Sequence, residues 1–291
     1  MDLFLPALIS GVTAGALYGL LGFAVVVLYK STGVTNFAQG AIGTIGAFLA
    51  WRLIDAGWPT AAAVAIGLVG CGVFGALLYA VVILPRGDAS STNRIVRTLA
   101  LGFVIAAVLD RLWAVGQPFS FPNILPSGGI ALGRTTLPWS TLIVLGVSAT
   151  IIAAFALWFR ATRTGLMARA VAADPEIARL LGVPTRRLAM SMWAVAALLA
   201  TAVGIMSAHD LLVSTHMLDD YLLYSFAGAI VFGFNSLPGS VIGGLTAGIL
   251  SGVLSVYYSP VTALIVIFTV VVLVLLVRPQ GLLGDREVTR V

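Results

Sequence analysis

Charge is what this sequence has least of. Of its 291 residues, 9% are Asp, Glu, Lys or Arg, whereas a soluble domain carries about 25%. Another 60% are hydrophobic, more apolar surface than a soluble core can hide, so the solvent for most of the chain must be lipid. Cysteine is reduced to Cys71, which excludes an intrachain disulfide or a cysteine cluster. The single lysine is Lys30, and no G-x-x-x-x-G-K-[ST] string occurs, so the chain has no P-loop to cradle ATP phosphates. H-E-x-x-H and G-x-S-x-G are missing too. No catalytic residue, no metal site and no cofactor bound by this chain is expected. Few ionisable groups fall inside the apolar runs, which weakens the case for a proton relay.

The charge that is present is uneven. The net charge of +5 reads as Lys/Arg retained on the cytoplasmic side of a membrane rather than as a nucleic-acid footprint. Nine runs are candidates for spanning helices, which need about 20 mostly apolar residues each: 4–29, 37–54, 59–84, 95–115, 138–159, 188–208, 221–234, 239–257 and 260–277. Two of them, 37–54 and 221–234, are short enough to be re-entrant or broken. The first run lacks a basic lead-in and is too long for the apolar part of a signal peptide, so it is expected to stay as a helix. The expected fold class is therefore an all-α polytopic membrane protein. The whole of 1–291 reads as one transmembrane domain of about nine spanning or partly re-entrant helices.

One long polar segment, 160–187, holds six of the 16 basic residues. Placing it in the cytoplasm, and alternating outward from it, puts 13 of the 16 inside. Only Arg52, Arg111 and Arg134 then fall outside or near the outer face. The N-terminus is expected outside, and the tail 278–291 inside. Within the segment, Thr164–Ala173 and Pro175–Leu181 can each form a short helix. Asp174 suits the N-cap with Pro175 at the first helical position, and Gly182 suits the position after the helix. Ile177, Leu180 and Leu181 gather on one side. Such a helix can dock a protein or lie on lipid headgroups.

The outer loop 116–137, with Pro118, Pro122, Pro126, Gly128 and Gly129, is too broken to span. A second outer loop holds His209, Asp210, His216, Asp219 and Asp220. These are ligand types for a metal, but their spacing fits no metal motif, and a hydrated acidic loop is expected. Glycines recur every fourth residue at Gly11, Gly15 and Gly19, and again at Gly244, Gly248 and Gly252. That spacing lets helix backbones approach closely in lipid, within this subunit or between subunits.

Two polar interruptions match each other. TGVTNFAQGAIGTIG runs from Thr32, and FGFNSLPGSVIGG from Phe232. Each has Asn-x-x-x-Gly followed by small residues and an apolar helix, and Asn36 and Asn235 stand 199 positions apart. Either Asn can cap the following helix. Gly/Pro-interrupted segments in corresponding places of two halves also point to a transport site, so a two-half internal repeat is possible. The candidate pathway residues are Asn36, Phe37, Gln39, Gly40, Asn235, Gly239 and Ser240.

These segments carry a resemblance. TGVTNFAQGAIGTIGAF resembles the N-F-A-H-G-x-x-x-x-x-G-A segment of branched-chain amino acid ABC-importer permeases. TGLMARAVAADPEIARLLGV, from Thr164, resembles their R-A-x-A-x-D-x-x-x-A-x-L-x-G-I segment. GSVIGGLTAG, from Gly239, resembles their G-S-x-x-G-A-x-x-G run, and RPQGLLG, from Arg278, resembles their R-P-x-G-L-F-G tail. The four occur in order, and the chain looks most like the shorter, H-type permease. Two departures stand out: Gln39 replaces the usual His, and Pro238 precedes the second Gly-Ser where glycine is common.

The resemblance implies a transport subunit in the bacterial inner membrane, working with a second permease subunit of the same or a different kind. Two cytoplasmic ABC ATPases would use ATP and Mg, and a periplasmic solute-binding protein would deliver a branched-chain or other hydrophobic amino acid. Asp174, Ile177, Ala178, Leu181 and Gly182 would form the ATPase-coupling helix, making 160–187 a coupling loop. Related permeases are thought to carry urea, short amides or other small solutes, and Gln39 keeps that alternative open. An ion-coupled secondary transporter, acting without ATPases, is the rival from another class.

Overall fold

The computed structural model describes residues 3–84, 91–114, 118–122, 124, 126–133 and 135–284. Arg86, Arg134, Arg286, Arg290 and the tail beyond 284 lie outside them, so part of the expected charge asymmetry falls on residues not described.

The described residues are mostly helical. Its helices are α1 (Phe4–Thr32), α2 (Gln39–Asp55), α3 (Thr60–Leu78), α4 (Ser91–Leu109), α5 (Trp139–Ala161), α6 (Arg163–Ala173), α7 (Pro175–Leu180), α8 (Thr185–Ser207), α9 (Asp219–Phe232), α10 (Leu237–Tyr257) and α11 (Pro260–Val277). Wider π-helical turns extend α3 over Tyr79–Ile83 and α4 over Asp110–Ala114. Starts follow local chemistry. Ser236 and Ser259 each accept an N–H from the first turn of the helix they precede, α10 and α11, and each is followed within two residues by proline, whose missing N–H costs nothing in a first turn.

Each of the nine apolar runs contains a helix, but among the described residues only six helices are long and apolar enough to cross a membrane: α1, α3 with its extension, α5, α8, α10 and α11. The short α2 and α9 have 17 and 14 residues, and α4 opens on Asn93, Arg94 and Arg97. Length and composition therefore support six crossings where nine were expected. The loop 116–137 also holds structure that its prolines did not announce. Strand β1 (Gly129–Leu132) pairs antiparallel with β2 (Thr135–Pro138).

The chain divides into two compact units. The first comprises 1–26, 125–150 and 221–291; the second comprises 27–124 and 151–220. Neither is a continuous half of the sequence. In the first unit, the two glycine stripes face each other. A methyl placed on Gly11 would sit 2.8 Å from the Gly248 carbonyl oxygen, and one on Gly248 would sit 2.1 Å from Gly15 Cα. α1 and α10 thus meet backbone to backbone, so the glycines serve packing within the subunit. Tyr18 stacks on Tyr224 at 5.2 Å beside Ala227, Val231, Ile267 and Val271.

In the second unit, α2, α3 and α8 pack on one another. Gly43 of α2 and Gly204 of α8 make the approach possible, a methyl on Gly204 falling 2.6 Å from the Gly43 oxygen. Trp193, Met192 and Phe48 are fully buried there. Phe119 and Val213 exchange both backbone hydrogen bonds, at 2.9 and 2.8 Å, and the Phe119 ring lies 4.2 Å from Trp51. That ties the proline-rich loop before α5 to the loop before α9.

Candidate functional site

The polar segment 160–187 is ordered by capping at each junction. Thr162 Oγ1 accepts the Gly165 N–H at 3.1 Å and starts α6 at Arg163, one residue earlier than expected. Arg169 of α6 donates to the Phe159 carbonyl, one of the last acceptors of α5, and its guanidinium carbon stands 5.7 Å from the centre of the Phe159 ring. A cation there satisfies an orphan carbonyl and complements the negative end of the helix dipole.

Asp174 then caps α7 as expected, its Oδ1 accepting the N–H groups of Glu176 and Ile177 at 2.9 Å each. The helix runs Pro175–Leu180, and Leu181 is its cap rather than its last turn. The Val183 N–H donates to the Ala178 carbonyl and the Gly182 N–H to that of Arg179, both at 3.0 Å. This is the paired-bond stop that needs a left-handed residue, and Gly182 supplies it at φ +82°. Ala178 points inward and is buried, while Ile177, Leu180 and Leu181 are 55%, 87% and 78% exposed. The expected apolar side exists, and it is presented outward.

The first polar interruption lies in the second unit. Asn36 and Gln39 have no exposed surface and form a closed chain of bonds. Asn36 Nδ2 donates to Gln39 Oε1 at 2.8 Å, and Gln39 Nε2 donates to the Ala196 carbonyl of α8 at 2.6 Å. Asn36 Oδ1 accepts the Ala38 N–H at 3.0 Å. Asn36 therefore closes a turn two residues on and does not cap α2, which begins without a side-chain cap. Thr98 of α4 is fully buried and accepts the Phe37 N–H at 3.3 Å. Nothing in the local sequence singles Thr98 out; only folding brings it to Phe37. Gly40 is buried, and Phe37 is half-buried.

The second interruption lies in the first unit. Ser236, not Asn235, caps α10, its Oγ accepting the Gly239 N–H at 3.1 Å. Gly239 and Ser240 are buried in the first turns, and Ser240 Oγ donates to the Leu237 carbonyl at 2.8 Å. The two Asn-x-x-x-Gly strings thus build different local structures and fall in different units. The tail joins the second one: the N–H groups of Leu282 and Leu283 donate to the carbonyls of Val231 and Phe232 at 2.9 Å each.

On the expected outer side, Asp110, Asp210, Asp220 and His216 line an open depression of about 570 Å³ in the second unit. His216 Nδ1 lies 2.7 Å from Asp219 Oδ2, with both side chains more than half exposed. Among the described residues no group of three or more His, Cys, Asp or Glu side chains is placed to hold a metal ion.

Among the described residues, six apolar helices of membrane-crossing length define a multi-pass helical membrane protein. Residues 7–276 match the family model for the permease component of branched-chain amino acid transport systems, and the chain belongs to that family. It is 26% identical to the high-affinity branched-chain amino acid transport system permease protein LivH of Escherichia coli K12 over 307 aligned positions, covering 99% of this chain and 98% of that one. It is 23% identical to the corresponding BraD protein of Pseudomonas aeruginosa, over 99% and 98%. Among solved structures it resembles PsaBC from Streptococcus pneumoniae in complex with Fab, with a TM-score of 0.53 and 16% identity over 95% of this chain and 92% of that one. That likeness concerns the fold.

Proposed function

We propose that this chain is the membrane-spanning permease subunit of an ATP-binding-cassette importer in the bacterial inner membrane. Its solute is a branched-chain or similar hydrophobic amino acid, handed over by a periplasmic binding protein. The carrying observation is the family match from residue 7 to 276, with relatives aligned along almost their whole length. In this reading the N-terminus is outside, 160–187 is cytoplasmic, and a second permease subunit completes the pathway. Two ATPases bind and hydrolyse ATP with Mg, while this chain carries out no covalent chemistry.

The coupling residues are Asp174, Ile177, Ala178, Leu181 and Gly182. The geometry of α7 supports that role. A six-residue helix that, with its cap residue Leu181, carries three exposed aliphatic side chains leaves apolar surface for a partner to cover. Asp174 and Gly182 fix its ends, Ala178 seats it, and Ile177 and Leu181 make contact. The solute pathway involves Asn36, Phe37, Gln39 and Gly40 in one unit and Asn235, Gly239 and Ser240 in the other. Asn36 and Gln39 are closed on each other in this conformation, so they meet solute when that pair opens during the cycle. Gln39 in place of His favours a solute with amide character as a second reading, urea or a short amide.

The test is reconstitution with the cognate ATPases, second permease and binding protein in vesicles, supplied with leucine or with urea. ATP-dependent uptake of leucine is expected. Uptake by this chain alone, driven by an ion gradient, would establish a secondary transporter instead.

A further inference from the structure

The segment RPQGLLG at 278–284 lies outside the proposed pathway and coupling residues, yet it is bonded to the end of α9, where the turn to α10 begins. α9 ends at Phe232, and its last carbonyls have no partner inside the helix. The Leu282 and Leu283 N–H groups supply partners for Val231 and Phe232. Pro279 stops α11 from continuing, because the residue before a proline is forced out of helical geometry; Arg278 is indeed non-helical, at φ −139° and ψ 88°. The chain can then turn back at Gly281, whose φ is +79°.

Contact between the two segments is backbone on backbone. Gly233, at φ +105°, begins the α9–α10 turn. A methyl on Gly233 would lie 2.5 Å from Gly284 N, and one on Gly281 would lie 2.5 Å from Gly233 N. No side chain fits at either position. From Gly233 the turn passes directly to the α10 start: the Ser236 N–H donates to the Gly233 carbonyl at 2.9 Å, and the Ser240 N–H to that of Ser236 at 2.9 Å.

We infer that Arg278–Gly284 is a positioning latch: two backbone hydrogen bonds and the Gly233–Gly281 contact hold the α9–α10 turn and thereby fix the first turn of α10 at Gly239 and Ser240. The functional consequence rests on the reading of those two residues as pathway residues; the latch itself does not.

Amide hydrogen exchange on the assembled transporter tests it. The Leu282 and Leu283 amides of the unmodified protein are expected to exchange far more slowly than an open tail. Gly281→Ala should accelerate them, and the amides of 233–240 as well, by about tenfold or more. Leu282→Ala keeps the backbone bonds and should leave both sets unchanged. Unprotected Leu282 and Leu283 amides in the unmodified protein would overturn the latch, whether or not Gly281→Ala folds. Acceleration confined to the tail, with 233–240 unaffected, would overturn its positioning role. Exchange rates do not depend on the solute carried, so a failed uptake assay counts against the transport reading alone.

Discussion

Arg169 holds Phe159 twice, by a hydrogen bond to its carbonyl and by a cation over its ring. This joins the end of α5 to α6, so the segment leading to α7 is attached to a spanning helix by more than its covalent link. A force applied at α7 has a short, stiff route into the apolar part of the second unit.

Arg169→Ala removes a charged hydrogen bond worth about 1.5–3 kcal/mol. It should loosen 160–174, measured as faster proteolysis in that segment, and reduce ATP-driven uptake while leaving the ATPases bound. Arg169→Lys should recover part of the loss, because a cation at the helix end is restored and the planar stacking group is not.

Leu180→Asp separates docking from folding. The side chain is 87% exposed, so the cost to the fold should be within about 0.5 kcal/mol. Retention of the ATPases on affinity purification should nevertheless fall steeply, as it should for Leu181→Asp. Normal retention with both variants would remove α7 as the docking element.

Gly182→Ala forces a side chain into a left-handed conformation, at a cost of about 1–2 kcal/mol. Asp174→Ala removes the other end of α7, at about 1 kcal/mol. Each should weaken ATPase association without touching the exposed leucines, and the double variant more than either alone. A pull-down titration reads all three.

Gln39→Leu leaves Asn36 Nδ2 without its bond inside the second unit, at about 1–3 kcal/mol for that buried group, while the Ala196 carbonyl keeps its partner within α8. The variant should unfold at a lower temperature in detergent. In a separate experiment, Gln39→Cys should resist polar thiol reagents in the isolated subunit and become reactive in the complete transporter turning over ATP. Protection throughout the cycle would mark Asn36 and Gln39 as scaffold.

Apolar runs were legible in the sequence because burial in lipid needs only length and composition. The ends of α7 were legible because Asp-Pro and Gly are local signals, acting within three or four residues. Other features depend on what lies across the fold. Asn36 and Asn235 share the Asn-x-x-x-Gly spacing, yet Asn36 bonds to Gln39 and Ala38, while Ser236 takes the cap at α10. The choice between Asn and the adjacent Ser is settled by how the chain arrives at the helix, which a motif does not encode. The contact of Thr98 with Phe37 spans 61 positions, and the return of Leu282 to Val231 requires folding to bring the tail to the end of α9. Glycine spacing announced close packing; only the partner stripe shows that it is satisfied within one unit.

The seam between α1 and α10 constrains what can move. Glycines recur at every fourth position on both helices, and the positions between them carry β-carbons. Sliding α10 along α1 by one, two or three residues would set those carbons against backbone that now has less than 3 Å to spare at Gly11, Gly15, Gly244, Gly248 and Gly252. The next compatible register lies four residues away, about 6 Å at 1.5 Å per residue. Like a ratchet with widely spaced teeth, the pair resists small displacements, so α1 and α10 travel together as a single strut.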